Sequence, residues 1–374
     1  MPSPLGCHLV GSVPLPDTET ALRVCATGLP NRLKRLPDGE TGRRNLFTLF
    51  QSAIFTPSPE MNTIFLMNSQ IPSETAFTDT EIAAGVQKLK DAGPMITGYD
   101  DAAIESYQSF KKLKQQGIIH PLTKFQVSLP TPANVITPFV QAVFQAAVEP
   151  LYEAALFRAM ERIQAEIPHE ELAIQIDLAV DTAFWEDGVD IYRPWFGEGD
   201  ATKEREYIVE YIRRMVGQVE EGVEVGLHNC YGDMQHRHWH EPSDLSAITQ
   251  RTLALLPSLS RPLNFFHAPV PKSALPYLHA YLSPLTALLP YFKVNNTDFY
   301  LGCVHEGNVE ATKKMVEVAR EVLGDEVAWG VGTECGWGRT GEGEVEGIMA
   351  ISREVAGEVF SELASIEARA VGGA

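Results

Sequence analysis

The chain is poor in cysteine, poor in positive charge and without a long apolar run, and each shortage excludes something. Its five cysteines, Cys7, Cys25, Cys230, Cys303 and Cys335, are an odd and scattered set among 374 residues. Disulfide frameworks use an even number of cysteines in a short secreted chain, so free or metal-bound thiols in a reducing compartment are expected. Thirty basic residues stand against 49 acidic ones, a net charge of −19. That balance repels phosphate backbones and anionic lipid, so neither a nucleic acid nor a membrane is an expected partner. No apolar stretch reaches the roughly 20 residues needed to span a bilayer. The opening MPSPLGCHLVGSVPLP lacks the basic and apolar regions of a signal peptide. Together these absences predict a soluble, cytoplasmic protein.

What is present is ordinary in bulk and informative in pattern. Apolar residues make up 44% and charged residues 21%, ample for a large core. Short β-rich runs fall at residues 8–10, 33–36, 125–129, 172–177, 223–228, 263–267, 299–304 and 327–333. Helical periodicity fills residues 17–27, 80–91, 101–116, 138–166, 204–220, 245–255, 309–323 and 343–366. Eight strands alternating with helices predict a single (β/α)8 barrel, a TIM barrel with extended βα loops, as one domain over residues 1–374. A doubly wound sheet with a second domain is the alternative. The run at residues 62–68 reads as a loop excursion after the second strand.

Barrel enzymes work at the carboxyl ends of their strands. The unusual residues of this chain fall there. Gly11-Ser12 follows the first expected strand, Asp38-Gly39-Glu40 the second and Pro130-Thr131-Pro132 the third. Asp177 ends the fourth, His228 and Cys230 the fifth, His267 the sixth, His305 the seventh and Cys335 the eighth. A His and a Cys two apart on a strand point the same way. Two thiolates and an imidazole prefer zinc over magnesium or calcium, and three protein ligands with an exchangeable fourth describe a catalytic site. Two unrelated buried cysteines and a core histidine are the plainer reading.

These strand-end residues resemble the catalytic barrel of cobalamin-independent methionine synthase, in the superfamily that also holds uroporphyrinogen decarboxylase. The resemblance implies zinc held by His228, Cys230 and Cys335, matching that family's His-x-Cys and Cys-Gly. Gly39-Glu40 resembles the Gly-Glu segment that holds the amino group of homocysteine, and Gly11-Ser12-Val13-Pro14 its Gly-Ser-Phe-Pro turn, which implies that Gly11 and Ser12 contact the same substrate. Ile174-Gln175-Ile176-Asp177 resembles an Ile-Gln-Ile-Asp strand end, and Val304-His305 the Ile-His that supplies a proton donor. Two departures stand out: His267 replaces the zinc-ligating Glu after strand six, and Leu178-Ala179 replaces Glu-Pro after Asp177. The family's amino-terminal barrel has no counterpart.

His267 as a fourth ligand leaves the zinc formally neutral and a stronger Lewis acid than a carboxylate would. The alternative is a histidine packed on Phe265 and Phe266 and bonded to a backbone carbonyl. His305, near its ordinary pKa, is expected to move a proton; the alternative is a helix-start residue. Glu40 and Asp177 are expected on one rim as partners of a substrate ammonium, with Arg43 or Arg44 open to a substrate carboxylate. A salt-bridge network is an equal reading for Glu40. Residues 231–240, YGDMQHRHWH, read as a lid, with Asp233 and His236 its contacts to substrate.

Residues 336–341, GWGRTG, match G-x-G-x-x-G but follow the last strand, so they read as a turn carrying Trp337 to the ligand and not as a dinucleotide site. The expected activity is zinc-dependent activation of a thiol for methyl or alkyl transfer, on an amino-acid-like acceptor and a methyl or alkyl donor. A lyase or decarboxylase on the same barrel, and a non-catalytic metal- or ligand-binding barrel, are the alternatives. A monomer and a homodimer are both open.

Overall fold

A computed structural model describes residues 4–63, 77–186, 193–232, 238 and 241–360. Eight parallel strands form a nearly closed barrel: β1 Cys7–His8, β2 Arg35–Pro37, β3 Lys124–Pro130, β4 Leu172–Leu178, β5 Glu224–Asn229, β6 Phe265–Pro269, β7 Asp298–Val304 and β8 Trp329–Thr333. Each strand pairs with its successor from β2 to β8, and β8 pairs back onto β1. The seam between β1 and β2 is held by a single bridge, Cys7 to Leu33, with the Cys7 N–H on the Arg32 carbonyl at 2.8 Å. All eight strands fall where sequence periodicity puts them, because parallel barrel strands are short apolar runs buried on both faces.

Alternation along the strands separates two layers. In β3 and β4 the residues Phe125, Val127, Leu129, Ile174 and Ile176 alternate with Gln126, Ser128, Gln175 and Asp177, and the polar set fills the barrel. The Gln175 amide donates to the Val10 carbonyl at 2.7 Å and to Asp177 at 2.8 Å, while its oxygen receives His8 Nε2 at 2.8 Å and the Gln126 amide at 3.2 Å. Buried polar groups are tolerated when neighbours bond them in this way; within this network Gln126 Oε1 alone has no hydrogen-bond partner among the described residues.

Local signals set the helix starts. Asp17 accepts from the Thr20 N–H at the head of α1 (Thr18–Gly28), and Thr78 with Glu81 forms a capping box on α2 (Asp79–Asp91). Helix α3 covers Tyr99–Gln115. The expected helix over residues 138–166 is two, α4 Ala133–Phe139 and α5 Ala142–Glu166. Val140 between them is extended and bridges to Asn62, and the Gln141 N–H bonds the Met61 carbonyl at 2.8 Å, so a docking loop breaks the periodicity. Helices α6 (Val180–Glu186), α7 (Ala201–Gly217) and α8 (Ser246–Leu255) follow.

The connection from β6 to β7 holds α9 (Leu278–Leu282) and α10 (Leu289–Asn295), broken by prolines and absent from the sequence reading. Helix α11 spans Val309–Leu323 as expected, with Asn308 capping Ala311. The last helix, expected over residues 343–366, is α12, Val345–Val355. It stops because Gly357 pairs with the start of the chain, donating to the Pro4 carbonyl and accepting from the Gly6 N–H, each at 2.9 Å. The remainder of that expected helix, beyond residue 360, lies outside the described residues, as does most of the 62–68 excursion. No described helix is long and apolar enough to cross a membrane.

Candidate metal centre

The fifth strand carries the centre. His228 lies in β5, and Cys230 follows its last residue, tied by its N–H to the Leu178 carbonyl at 2.9 Å. Asn229 between them faces the other way, donating to the His267 carbonyl at 2.7 Å and accepting from Arg251 at 2.6 Å. Strand alternation therefore sends His228 and Cys230 to one side. Cys335 arrives from beyond β8, its carbonyl accepting from the Thr333 hydroxyl at 2.6 Å, which in turn accepts from Trp337 Nε1 at 2.9 Å.

The ligand atoms of His228, Cys230 and Cys335 all lie within 4.8 Å of one another, the one such group among the described residues. The two sulfurs are 3.9 Å apart and unbridged. Two thiolates about 2.3 Å from a tetrahedral zinc stand about 3.8 Å from each other, so the spacing fits that ion. The Gly232 N–H donates to the Cys230 sulfur at 3.2 Å, a contact suited to a thiolate.

His267 does not join that group. Strand register places it opposite His228, with Nδ1 facing Nδ1 at 2.9 Å, and its Nε2 bonds the Thr333 carbonyl at 3.0 Å. Both of its nitrogens are thus occupied. Burial holds its pKa down at about 4 and lowers that of His228 well below the ordinary value, so both rings are neutral at neutral pH.

A cavity of about 250 Å³ opens beside the sulfurs, walled by Cys230, Cys335, His238, Lys272, His305, Glu334 and Trp337. His305 ends β7. Its Nε2 donates to the Val270 carbonyl at 2.9 Å, which leaves Nδ1 facing Glu334 at 3.5 Å. Burial lowers its pKa against the opposing pull of Glu334, so it does not keep the ordinary value expected of it. Glu334 was a silent neighbour of Cys335 in the sequence and is a wall of the cavity in three dimensions. Its second oxygen lies 3.1 Å from His238 Nε2, and His238 Nδ1 meets Glu241 at 3.0 Å. Burial works against charge on His238, but the Glu334 hydrogen bond and the two carboxylates outweigh it and raise the pKa to about 9. Asp233 and His236 lie outside the described residues.

Glu40 and Asp177 do not line this cavity. The Glu40 N–H donates to Asp38 at 2.8 Å, and its carboxyl lies against Gly11, where a Cβ would come within 3.0 Å of it. Burial, then Asp38 and Cys335, raises Glu40 to about 8 despite Arg44 and Arg339. Burial, then Glu40, raises Asp177 well above the usual carboxylate range. Beside Glu40 there is a space of about 10 Å³, room for about one water. Arg44 pairs with Asp38 at 2.5 Å and Arg43 is exposed, so the ion pair of this segment forms on Asp38 and not on Glu40. Ser12 acts on the loop after β8: its carbonyl accepts from the Trp337 N–H at 2.6 Å and its hydroxyl from the Gly338 N–H at 3.2 Å. Trp337 is buried on the cavity wall.

Fold and centre together define a parallel eight-stranded barrel with a sulfur–imidazole group at the carboxyl ends of its strands. The chain is similar to a B12-independent methionine synthase from Shewanella sp. W3-18-1, solved in complex with selenomethionine. The TM-score is 0.44 at 11% identity, covering 72% of this chain and 67% of that one. Neither a protein-family model nor a curated protein matches. The barrel assignment stands on strand order and register.

Proposed function

We propose that this chain is a zinc-dependent enzyme that activates a thiol for methyl or alkyl transfer. The observation that carries the reading is the convergence of His228, Cys230 and Cys335 within 4.8 Å at the edge of a cavity. Three protein ligands leave one position for a substrate atom. A zinc held there lowers the pKa of a coordinating thiol and so supplies a nucleophile at neutral pH.

The chain's own residues have separate tasks. The cavity admits the substrate sulfur and holds donor and acceptor in line, which converts an encounter into an oriented reaction. His305 and Glu334, 3.5 Å apart on the cavity wall, take up the thiol proton or return one to the leaving group. Glu40 and Asp177, buried off the cavity beside a space of about 10 Å³, are assigned no contact with substrate and form the polar backing behind Cys335. The His305–Glu334 pair also fits a carbon–sulfur lyase, the same transfer with another acceptor, as a second reading.

Cobalt-substituted protein titrated with homocysteine and simpler thiols decides. A sulfur-to-cobalt absorption that grows with thiol, stronger for homocysteine, is the expected result. No spectral response to any thiol would overturn the thiol-activating reading.

A further inference from the structure

The His228–His267 contact carries more than its place in the core explains. A carbonyl oxygen only accepts, so the 3.0 Å contact to Thr333 puts the His267 proton on Nε2. With the ring proton on Nε2, Nδ1 presents a lone pair, and the 2.9 Å contact between the two facing Nδ1 atoms requires one donor. That donor is His228 Nδ1–H. The remaining lone pair of His228 is then on Nε2, the ring nitrogen left to serve the group that His228 forms with the two sulfurs.

The slot for this ring is built. His267 reaches across β7 to the end of β8, and it passes over Gly302 and Gly332. A Cβ on Gly302 would sit 2.8 Å from both His267 Nε2 and the Thr333 carbonyl, whereas at Gly332 the close neighbour is the His8 carbonyl at 2.9 Å and the His267 ring is only in ordinary contact. The missing side chain at Gly302 is what gives this imidazole its room. His267 is fully buried, and His8 lies 5.5 Å from its ring, so it has no second rotamer in solvent to occupy.

We propose that His267 is a positioning residue for the metal centre, which accepts the Nδ1 proton of His228 and thereby fixes His228 as an Nε2 ligand. The inference rests on the proposed function for its purpose, and on the hydrogen-bond chain alone for its content. Outer partners of this kind set the orientation and tautomer of ligating histidines. Here the partner is a second neutral imidazole backed by a carbonyl. It adds no negative charge, so the centre keeps only the charge of its two thiolates.

The test reads tautomers first, in metal-free protein, by long-range proton–nitrogen correlation of the histidine rings, with His228→Gln and His267→Asn supplying assignments. We expect His228 protonated on Nδ1 and His267 on Nε2. A His228 ring protonated on Nε2 would overturn the proposal. Zinc affinity by competition with a chromophoric chelator is the second reading. His267→Asn keeps an acceptor oxygen near the position of Nδ1 and should bind within about threefold of wild type. His267→Phe and Gly302→Ala should bind roughly 10–100-fold more weakly, still with one zinc at saturation.

Equal affinity in wild type, His267→Phe and Gly302→Ala would refute the positioning role, and so would equal loss in the Asn and Phe variants. If wild type takes no zinc, the metal reading fails by itself, while the tautomer measurement still decides the hydrogen-bond chain.

Discussion

The two halves of the barrel mouth are built from different chemistry. Strands β5 to β8 present sulfur and imidazole: His228, Cys230, His267, His305 and Cys335, beside an open cavity of about 250 Å³. Strands β1 to β4 present carboxyl and amide, namely Glu40, Asp177, Gln175 and Gln126, with a space of about 10 Å³. In the proposed reading, the open half is the one that holds a soft ion and admits a ligand. In the closed half, carboxyls are pressed into protein at raised pKa among hydrogen-bonded amides. Chemistry is assigned to the first half, and to the second a buried polar backing for it.

The largest effect that would break this division is on metal content. Wild type should carry about one zinc per chain, and Cys230→Ser and Cys335→Ser little, by elemental analysis of purified protein. Near-stoichiometric zinc in both variants would move the centre elsewhere. In the closed half the largest effect is on stability. Gln175→Leu leaves His8 Nε2 and the Asp177 carboxyl without their partner, while the Val10 carbonyl keeps Gln126 and Ser128, and buried polar groups left unpaired cost about 1–3 kcal/mol each. A loss of about 2–4 kcal/mol in urea unfolding is expected, with zinc stoichiometry unchanged. A Gln175→Leu protein as stable as wild type would show that the closed half is not held by this network.

The same division explains what the sequence could reveal. Strands were legible because parallel barrel strands are near-continuous apolar runs, and the His-x-Cys because alternation fixes which way its members point. Helix ends were legible where a cap marks them, as at Asp17 and Asn308, and illegible where tertiary pairing cuts a periodic run, as at Val140 and Gly357. The proline-broken α9 and α10 had too short a period to register. His267 shows the limit at the site: a strand-end histidine reads the same whether it faces an ion or a neighbouring ring. Glu334 could have been found from its place beside Cys335 at a strand end. Its pairing with His238 could not, because that contact joins two loops nearly a hundred residues apart.

A smaller effect sharpens the open half. His238 is held between Glu334 and Glu241 and has its pKa raised from 6.5 to about 9. A base whose folded pKa lies above its unfolded value stabilises the fold fully below the unfolded value. That contribution is lost as pH rises through the folded value, here between about 6.5 and 9. Since the ring is partly exposed, about 1–2 kcal/mol is expected after screening. Wild type should therefore lose more stability than His238→Gln between pH 6.5 and 9. Parallel pH profiles for the two proteins would remove His238 from the cavity wall as a charged group.

Ser12 joins the halves, and the smallest effect tests which half it serves. Its hydroxyl accepts from Gly338 and its carbonyl from Trp337, so it holds the loop that carries Cys335 from a position on the closed side. Ser12→Ala removes one of those two bonds, worth about 0.5–1.5 kcal/mol. The carbonyl bond survives the substitution, so the loop should loosen without leaving its place. Amide exchange at residues 337–340 should quicken while the strand amides of β8 stay protected, and zinc should remain at one per chain. If Ser12 is only an anchor, the thiol response of the cobalt-substituted variant matches that of wild type. If its hydroxyl also binds substrate, homocysteine affinity falls by more than the loop's loosening explains, and simple thiols that lack an amino acid end are unaffected. That second pattern would draw the closed half into substrate recognition and blur the boundary between the two.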